Sequence, residues 1–352
     1  MPATEPRTGA GCLMRAEIAE QPEVWRRILD QGLPSVRTAA AAIADHAPRF
    51  VLLAARGTSD HAALYGKYLV EVGHQLPAGL VSPSTMTLYG ARPDLRDVLI
   101  VAISQSGASP DLVHSVRVAK AQGALTVALT NAPDSPLAAE AELHVDVLAG
   151  PERSVAATKS YTAQLLVLHL LLSRAEDVDL DQLHRLPAGA EQVLAQDEVI
   201  ADVAQRYRFA QRLVTTGRGY SYPTAREAAL KLMETSYLSA QAFSGADLLH
   251  GPLAMIDPQV PVLTVVPEGI AGEAMAPVLP RLRVLGADVF CVGSAAAVAS
   301  ATRGLVLPSG VPGELSPLLE ILPFQQLALH TAMARGGNPD APRGLSKVTE
   351  TM

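Results

Sequence analysis

Short apolar runs alternate with helically spaced segments through the first part of the chain. FVLLAARG (50–57), DVLIVAIS (97–104) and ALTVALTN (124–131) have the pattern of buried strands, and AGLVSPS (78–84) is a shorter one. Between them, HAALYGKYLVEVG (61–73) and SPDLVHSVRVAKAQG (109–123) carry apolar residues at helical spacing. Ahead of the first strand, MRAEIAEQPEVWRRILDQGL (14–33) offers Ile18, Val24, Trp25, Ile28 and Leu29 as one helix face, with Pro22 suited to a first turn. Residues 1–13 read as a loose tail. Strands alternating with helices predict a parallel sheet covered on both sides, the doubly wound α/β class.

The pattern occurs twice. APRFVLLAARGTSDHAALYGKYLVEV, from residue 47, resembles RFAQRLVTTGRGYSYPTAREAALKLMET, from residue 208, with Arg56-Gly57 falling on Arg218-Gly219. AKAQGALTVALT resembles LRVLGADVFCVG, with Gly123 on Gly286, and the two offsets, 162 and 163 residues, agree. Such agreement between unrelated local patterns predicts a duplication. The expected architecture is two tandem doubly wound parallel-sheet subdomains of flavodoxin-like type, residues 14–185 and 186–352, divided in the polar stretch RAEDVDLDQLHRLPAGAEQ.

Composition narrows the function. With 352 residues, 49% hydrophobic and 18% charged, the chain can build two cores, and with 4% aromatic residues it must build them from Ala, Val and Leu. A formal net charge of −7 argues against a nucleic-acid partner, so an anionic ligand must be held by local groups. Cys12 and Cys291 fit neither a metal spacing nor a disulfide framework and suit a reducing compartment, which makes a cytoplasmic location the expectation. The apolar stretch VAATKSYTAQLLVLHLLL (155–172) is interrupted by Lys159, Gln164 and His169, and no membrane span is expected.

The candidate chemistry begins at VAISQSGASPD (101–111), where Ser104, Gln105, Ser106 and Ser109 cluster as a strand gives way to a helix. Ligands of doubly wound folds sit beyond the carboxyl ends of the strands. The following helix turns free N–H groups and the positive end of its dipole to that space, so hydroxyls and amides can satisfy a phosphate without a basic cluster. A helix cap explains one of these serines and not the set. The corresponding stretch of the second half, LTVVPEGIAGE, keeps the strand and a glycine and lacks the serines, which favours a site. No nucleotide-binding glycine pattern follows a strand, so a small phosphorylated metabolite fits better than a dinucleotide or ATP.

RGTS (56–59), SQSG (104–107), VAATK (155–159), EAALKLMETSY (227–237), LLHGPLAMID (248–257) and PRGLSKVTE (342–350), in this order, resemble the sugar isomerase (SIS) family. Within it the likeness is to the isomerase domains of glucosamine-6-phosphate synthases, from about Met14 to the C-terminus. The resemblance implies that Ser59, Ser104, Gln105, Ser106 and Ser109 surround a sugar phosphate and that Val155 and Ala157 line the sugar. It implies a catalytic helix carrying Glu227, Lys231 and Glu234, a ring-opening His250, and a Lys347 acting from the C-terminal tail. Ser109 stands where the synthases have Thr. Ala157 stands where they have Ser, so a side-chain contact there is lost while a backbone contact survives. The synthases begin with a glutaminase domain and this chain begins MPATEP, so no glutamine hydrolysis is expected.

Glu227, Lys231 and Glu234, at i, i+4 and i+7, also describe an ordinary exposed ion-pair ladder. Their neighbours Ala228, Ala229, Leu230 and Leu232 indicate instead a mostly buried helix, where a carboxylate is costly without a purpose. Glu234 then suits proton transfer between C1 and C2 of a sugar, His250 the ring oxygen, and Lys347 an enolate-like oxygen or an imine. Lys159 reads as structural. His61, His114 and His169 fall in helical patterns without metal geometry, and no metal or organic cofactor is implied.

The expected activity interconverts glucosamine 6-phosphate and fructose 6-phosphate plus ammonia. The alternatives are an ammonia-dependent or partner-fed synthase, a fructosamine-6-phosphate deglycase, and a non-catalytic sugar-phosphate sensor. The resemblance further implies a homodimer in which the histidine loop reaches the site of the neighbouring subunit.

Overall fold

The computed structural model describes residues 9–347. Strands β1 (Phe50–Ala54), β2 (Ala78–Leu80), β3 (Val98–Ser104), β4 (Leu125–Thr130) and β5 (Leu143–Asp146) form a parallel sheet in the order β2-β1-β3-β4-β5. Strands β6 (Arg212–Gly217), β7 (Ser239–Ser244), β8 (Pro261–Val266), β9 (Asp288–Gly293) and β10 (Arg303–Val306) form a second, ordered β10-β9-β8-β6-β7. Counted from its own first strand, each sheet has the same order. β6 starts 162 residues after β1, β8 starts 163 after β3, and β9 starts 163 after β4, so the sequence offsets are the offsets of the fold. β3 and β8 are buried almost throughout, as strands covered by helices on both faces require.

The helix expected over 14–33 is broken into Cys12–Ala19, Gln21–Arg27, a π-turn at Ile28–Gly32, and a continuation from Leu33 to His46. Pro22 stands in the first turn of its segment, where its missing N–H costs nothing. Cys12–Ala19 starts inside the stretch read as tail, and its cap comes from the far end of the chain: Asp340 accepts the Met14 N–H at 2.8 Å and the Leu13 N–H at 3.1 Å. Residues 1–8 lie outside the described residues. The expected division at 185/186 falls within helix Leu180–Leu194, which with Asp197–Tyr207 connects the two sheets.

Helix Lys159–Leu172 is buried at every position and packs at the centre of a core shared by both halves. A helix apolar all round must be enclosed, and each fully buried Leu contributes about 1.5–3 kcal/mol. Each of its polar interruptions has a side-chain partner, while the Gln164 carbonyl oxygen is buried without one among the described residues. Lys159 pairs with Glu20 at 2.6 Å, Gln164 donates to Ser59 at 3.0 Å, and His169 meets the Ser173 hydroxyl at 3.2 Å. Burial pushes the His169 imidazole down to about 4. Among the described residues no helix is long and apolar enough to cross a membrane.

A buried carboxylate sits in helix Ser316–Ala334. Glu320 accepts hydroxyl hydrogens from Ser316 at 2.6 Å, Ser221 at 2.8 Å and Thr224 at 2.9 Å, joining this helix to helix Ser221–Ser236. Burial outweighs the three bonds and raises its carboxyl from 4.5 to about 6. An acid raised in the folded state leaves stability fully present below its unfolded value and lost as pH climbs through the folded one. The wild type should therefore lose about 2 kcal/mol relative to Glu320→Gln as pH rises from about 4.5 past 6. Urea unfolding of both proteins at pH 4.5, 5.5 and 7 measures this, and parallel stability curves would refute it.

Candidate active site

The loops at the carboxyl ends of β1, β3, β4 and β5 are tied into one rim. Arg56, after β1, reaches Asp111, after β3, with nitrogens at 2.7 and 2.8 Å, and Asp111 is only 1% exposed. The Gln105 carbonyl accepts the Asn131 N–H at 3.2 Å. Asn131, after β4, accepts the Ala149 N–H at 2.9 Å and donates to the Gly150 carbonyl at 2.8 Å, after β5.

Ser104, Ser106 and Ser59 share one property. Ser104 accepts the Gly107 N–H at 3.0 Å, Ser106 accepts the Ala108 N–H at 3.3 Å, and Ser59 accepts from Gln164 at 3.0 Å. A hydroxyl that accepts in this way keeps its own hydrogen to donate, which is what phosphate oxygens require. Ser109 precedes helix Pro110–Ala121 without making a side-chain cap, so capping does not account for it. The turn needs Gly107: its φ is +62°, and a Cβ there would meet the Ser135 Oγ at 2.1 Å. The second half keeps the turn, with Gly269 at φ +79°, and has no serine set around it.

Helix Ser221–Ser236 meets helix Thr58–Leu69 of the first half, and the acid–base candidates lie at the contact. Lys231 pairs with Glu234 at 2.6 Å and Glu227 at 3.3 Å, and donates to Thr58 Oγ1 at 2.9 Å. Thr58 donates to Glu227 at 3.1 Å, and His61 Nδ1 lies 2.7 Å from the other Glu227 oxygen. Glu227 and Lys231 are fully buried, while the Glu234 side chain is 23% exposed. The three are thus no surface ladder: only Glu234 opens outward. Burial pushes the Lys231 ammonium down, but Glu227 and Glu234 more than reverse this and hold it above the ordinary lysine range. Lys231 is a fixed cation.

Lys347 reaches the segment after β5. Its Nζ donates to Glu152 at 2.9 Å and to the Ser154 carbonyl at 2.7 Å, beside Val155, whose N–H binds the Asp340 carbonyl at 3.2 Å. Glu152 is buried and also accepts the N–H groups of Thr158 and Ser160 and the Ser160 hydroxyl. Burial raises its carboxyl, and Lys347 and the Ser160 bonds overcome this and hold it below the usual range. Glu17 accepts the Arg153 and Ser154 N–H groups, and burial raises its carboxyl. The 152–158 turn that carries Val155 and Ala157, both half-buried, is therefore built around two carboxylates.

The chain brings together Ser104, Gln105, Ser106 and Ser109 in one loop, Glu227, Lys231 and Glu234 in one row, and Lys347 with the Val155 segment. His250 stands apart: it follows helix Gly245–Leu249, is exposed, and makes no side-chain hydrogen bond or ion pair among the described residues. Sequence reasoning missed Thr58, His61 and Glu152. Thr58 lies inside RGTS and Glu152 three residues ahead of VAATK, so both were near a motif, whereas His61 had no local signal.

The SIS domain description matches residues 46–174 and 207–303. The chain is 34% identical over 354 residues to the glutamine–fructose-6-phosphate aminotransferase (isomerizing) of Thermococcus kodakarensis, covering 97% of this chain and 58% of that protein. It thus spans less than two thirds of that curated relative. A crystal structure from Silicibacter pomeroyi DSS-3, provisionally assigned as a phosphosugar isomerase, is 37% identical, has a TM-score of 0.82, and is matched over 94% of this chain and 100% of that one. The C-terminal domain of glucosamine-fructose-6-phosphate aminotransferase from Francisella tularensis is 27% identical with a TM-score of 0.87, over 97% of this chain and 100% of that one. With two matched segments, one on each parallel sheet, the chain belongs to the SIS domain family.

Proposed function

We propose that this chain is a phosphosugar isomerase and deaminase that converts glucosamine 6-phosphate and water into fructose 6-phosphate and ammonia, or runs the reverse. The observation that carries this reading is the row Glu227–Lys231–Glu234, buried at one end, open at Glu234, and abutting the β1 loop of the hydroxyl-lined rim. The rim holds the phosphate through Ser59, Ser104, Ser106 and Ser109, with Gln105 beside them. Val155 and Ala157 line the sugar. His250 protonates the ring oxygen as the sugar opens. Glu234 then removes the C2 proton as the C1 oxygen gains one, giving an enaminol, and returns its proton to C1 as the amino group gives one up, leaving an imine at C2 that water hydrolyses to the ketone and ammonia. Lys231 offsets the charge of Glu234 without leaving its ammonium form. Lys347, with two of its three donors taken by Glu152 and Ser154, has a third to offer the developing C1 oxygen.

An exposed His250, its side chain without a hydrogen bond or ion pair among the described residues, suits a residue offered to a second copy, and we place the active form as a cytoplasmic homodimer with shared sites. The subdomain division at 185/186 belongs to the same reading. The test is incubation with glucosamine 6-phosphate while ammonia and fructose 6-phosphate are measured, with the mass in solution followed in parallel. Turnover by a dimer is expected. Activity only on fructosamine 6-phosphates moves the assignment to a deglycase, synthesis only with added ammonia moves it to a synthase, and binding without turnover makes the chain a sensor. A fully active monomer refutes the shared site.

A further inference from the structure

We propose that His61 is a positioning residue for the Glu227–Lys231–Glu234 row. The inference rests on the proposed reading of that row as acid–base machinery. His61 and Thr58 are one turn apart on helix Thr58–Leu69 and both face Glu227. Together they divide its two oxygens: Oε1 serves Thr58 at 3.1 Å and Lys231 at 3.3 Å, and Oε2 lies 2.7 Å from His61 Nδ1. An ionised carboxylate only accepts, so the neutral imidazole must carry its hydrogen on Nδ1.

This division determines where Lys231 stands. With Oε2 held by the imidazole, Lys231 is left to Oε1 and leans on Glu234 at 2.6 Å. Without His61, that carboxylate oxygen loses its fixed donor and keeps only water from the open cavity beside it, and Lys231 is the cation within reach. Lys231 then moves onto Glu227 and away from Glu234, the group that handles the substrate proton. The imidazole also lines a solvent-open cavity of about 460 Å³ with Arg56, Asp60, Arg226 and Met233, and Nε2 has no protein partner among the described residues. A smaller side chain at 61 that still donates from the Nδ1 position therefore leaves room for water, not a sealed void. The duplication supports a role specific to this site: the residue corresponding to His61 in the second half is Pro223.

The experiment compares His61→Ala and His61→Asn with the wild-type full chain on glucosamine 6-phosphate, with 15N NMR of the His61 ring alongside. His61→Ala should lower kcat about 10-fold or more while KM stays within about twofold, since the phosphate rim is untouched. His61→Asn, whose amide nitrogen replaces Nδ1, should recover most of kcat. The ring should show the Nδ1-protonated tautomer. The proposal is overturned if His61→Ala keeps wild-type kcat, if KM rises in step with the loss, if His61→Asn is as slow as His61→Ala, or if Nδ1 is unprotonated in the neutral ring. Those results refute the role of His61 in an active enzyme. A wild-type chain that turns over no sugar phosphate refutes the acid–base reading, and the positioning role with it.

Discussion

Glu234→Gln should abolish turnover while leaving sugar-phosphate binding in place. The substitution preserves size and an oxygen that can accept from Lys231, so the 2.6 Å contact need not be lost with the charge. Lys231 keeps Glu227 as its counter-ion and Thr58 as a neutral partner, so the helix stays paired. What disappears is a group able to take a proton from carbon, and loss of a positioned general base lowers rates by roughly 10²–10⁴-fold. The kcat for ammonia release from glucosamine 6-phosphate should fall by that factor, and calorimetric affinity for fructose 6-phosphate should change by less than about threefold. Undiminished kcat would remove Glu234 as the base. A matching collapse of affinity would instead make it a binding group.

The second large effect concerns stability. Lys231→Met keeps the volume and the unbranched stem but strips a fully buried carboxylate, Glu227, of its cation. Breaking one side of a buried pair costs about 3–5 kcal/mol, because the remaining charge is neither solvated nor compensated. Thr58 and His61 still donate to Glu227, so the protein should fold, with its urea midpoint displaced accordingly. The double variant Glu227→Gln with Lys231→Met should regain much of the loss, since the stranded charge goes with it. If the single variant loses under about 1 kcal/mol, the pair is not the electrostatic unit described.

Both outcomes also depend on Thr58 and His61, which meet the row from more than 160 residues away in the chain, and this marks how much could be read in advance. The strands of the first sheet were visible because a parallel sheet covered on both faces leaves no polar face, so FVLLA and VLIVAIS read as short apolar runs. The second sheet came through the repeat, whose offsets of 162 and 163 residues recur in the strand starts. The hydroxyl loop was visible because its residues are adjacent. The helix over 14–33 was legible as helical but not in its breaks, and its true start at Cys12 depends on Asp340, a cap with no local trace. Glu152 and His61 escaped for the same reason: a buried carboxylate or imidazole differs from an exposed one only by its partners, Lys347 and Glu227, which lie 195 and 166 residues away.

The amino-acid sequence by itself determined two parallel sheets, their common order of elements, and a hydroxyl-rich loop at the carboxyl edge of the first only. These follow from hydrophobic period and turn chemistry, which act over a few residues. Tertiary structure alone decided that Glu227 and Lys231 are buried while Glu234 is open, because the two duplicated helices, Thr58–Leu69 and Ser221–Ser236, press Thr58 and His61 against one end of the row. It likewise decided that Lys347 is anchored on Glu152 and that His250 faces outward. Charge state and exposure are properties of the assembled surroundings, and no local pattern of residues contains them.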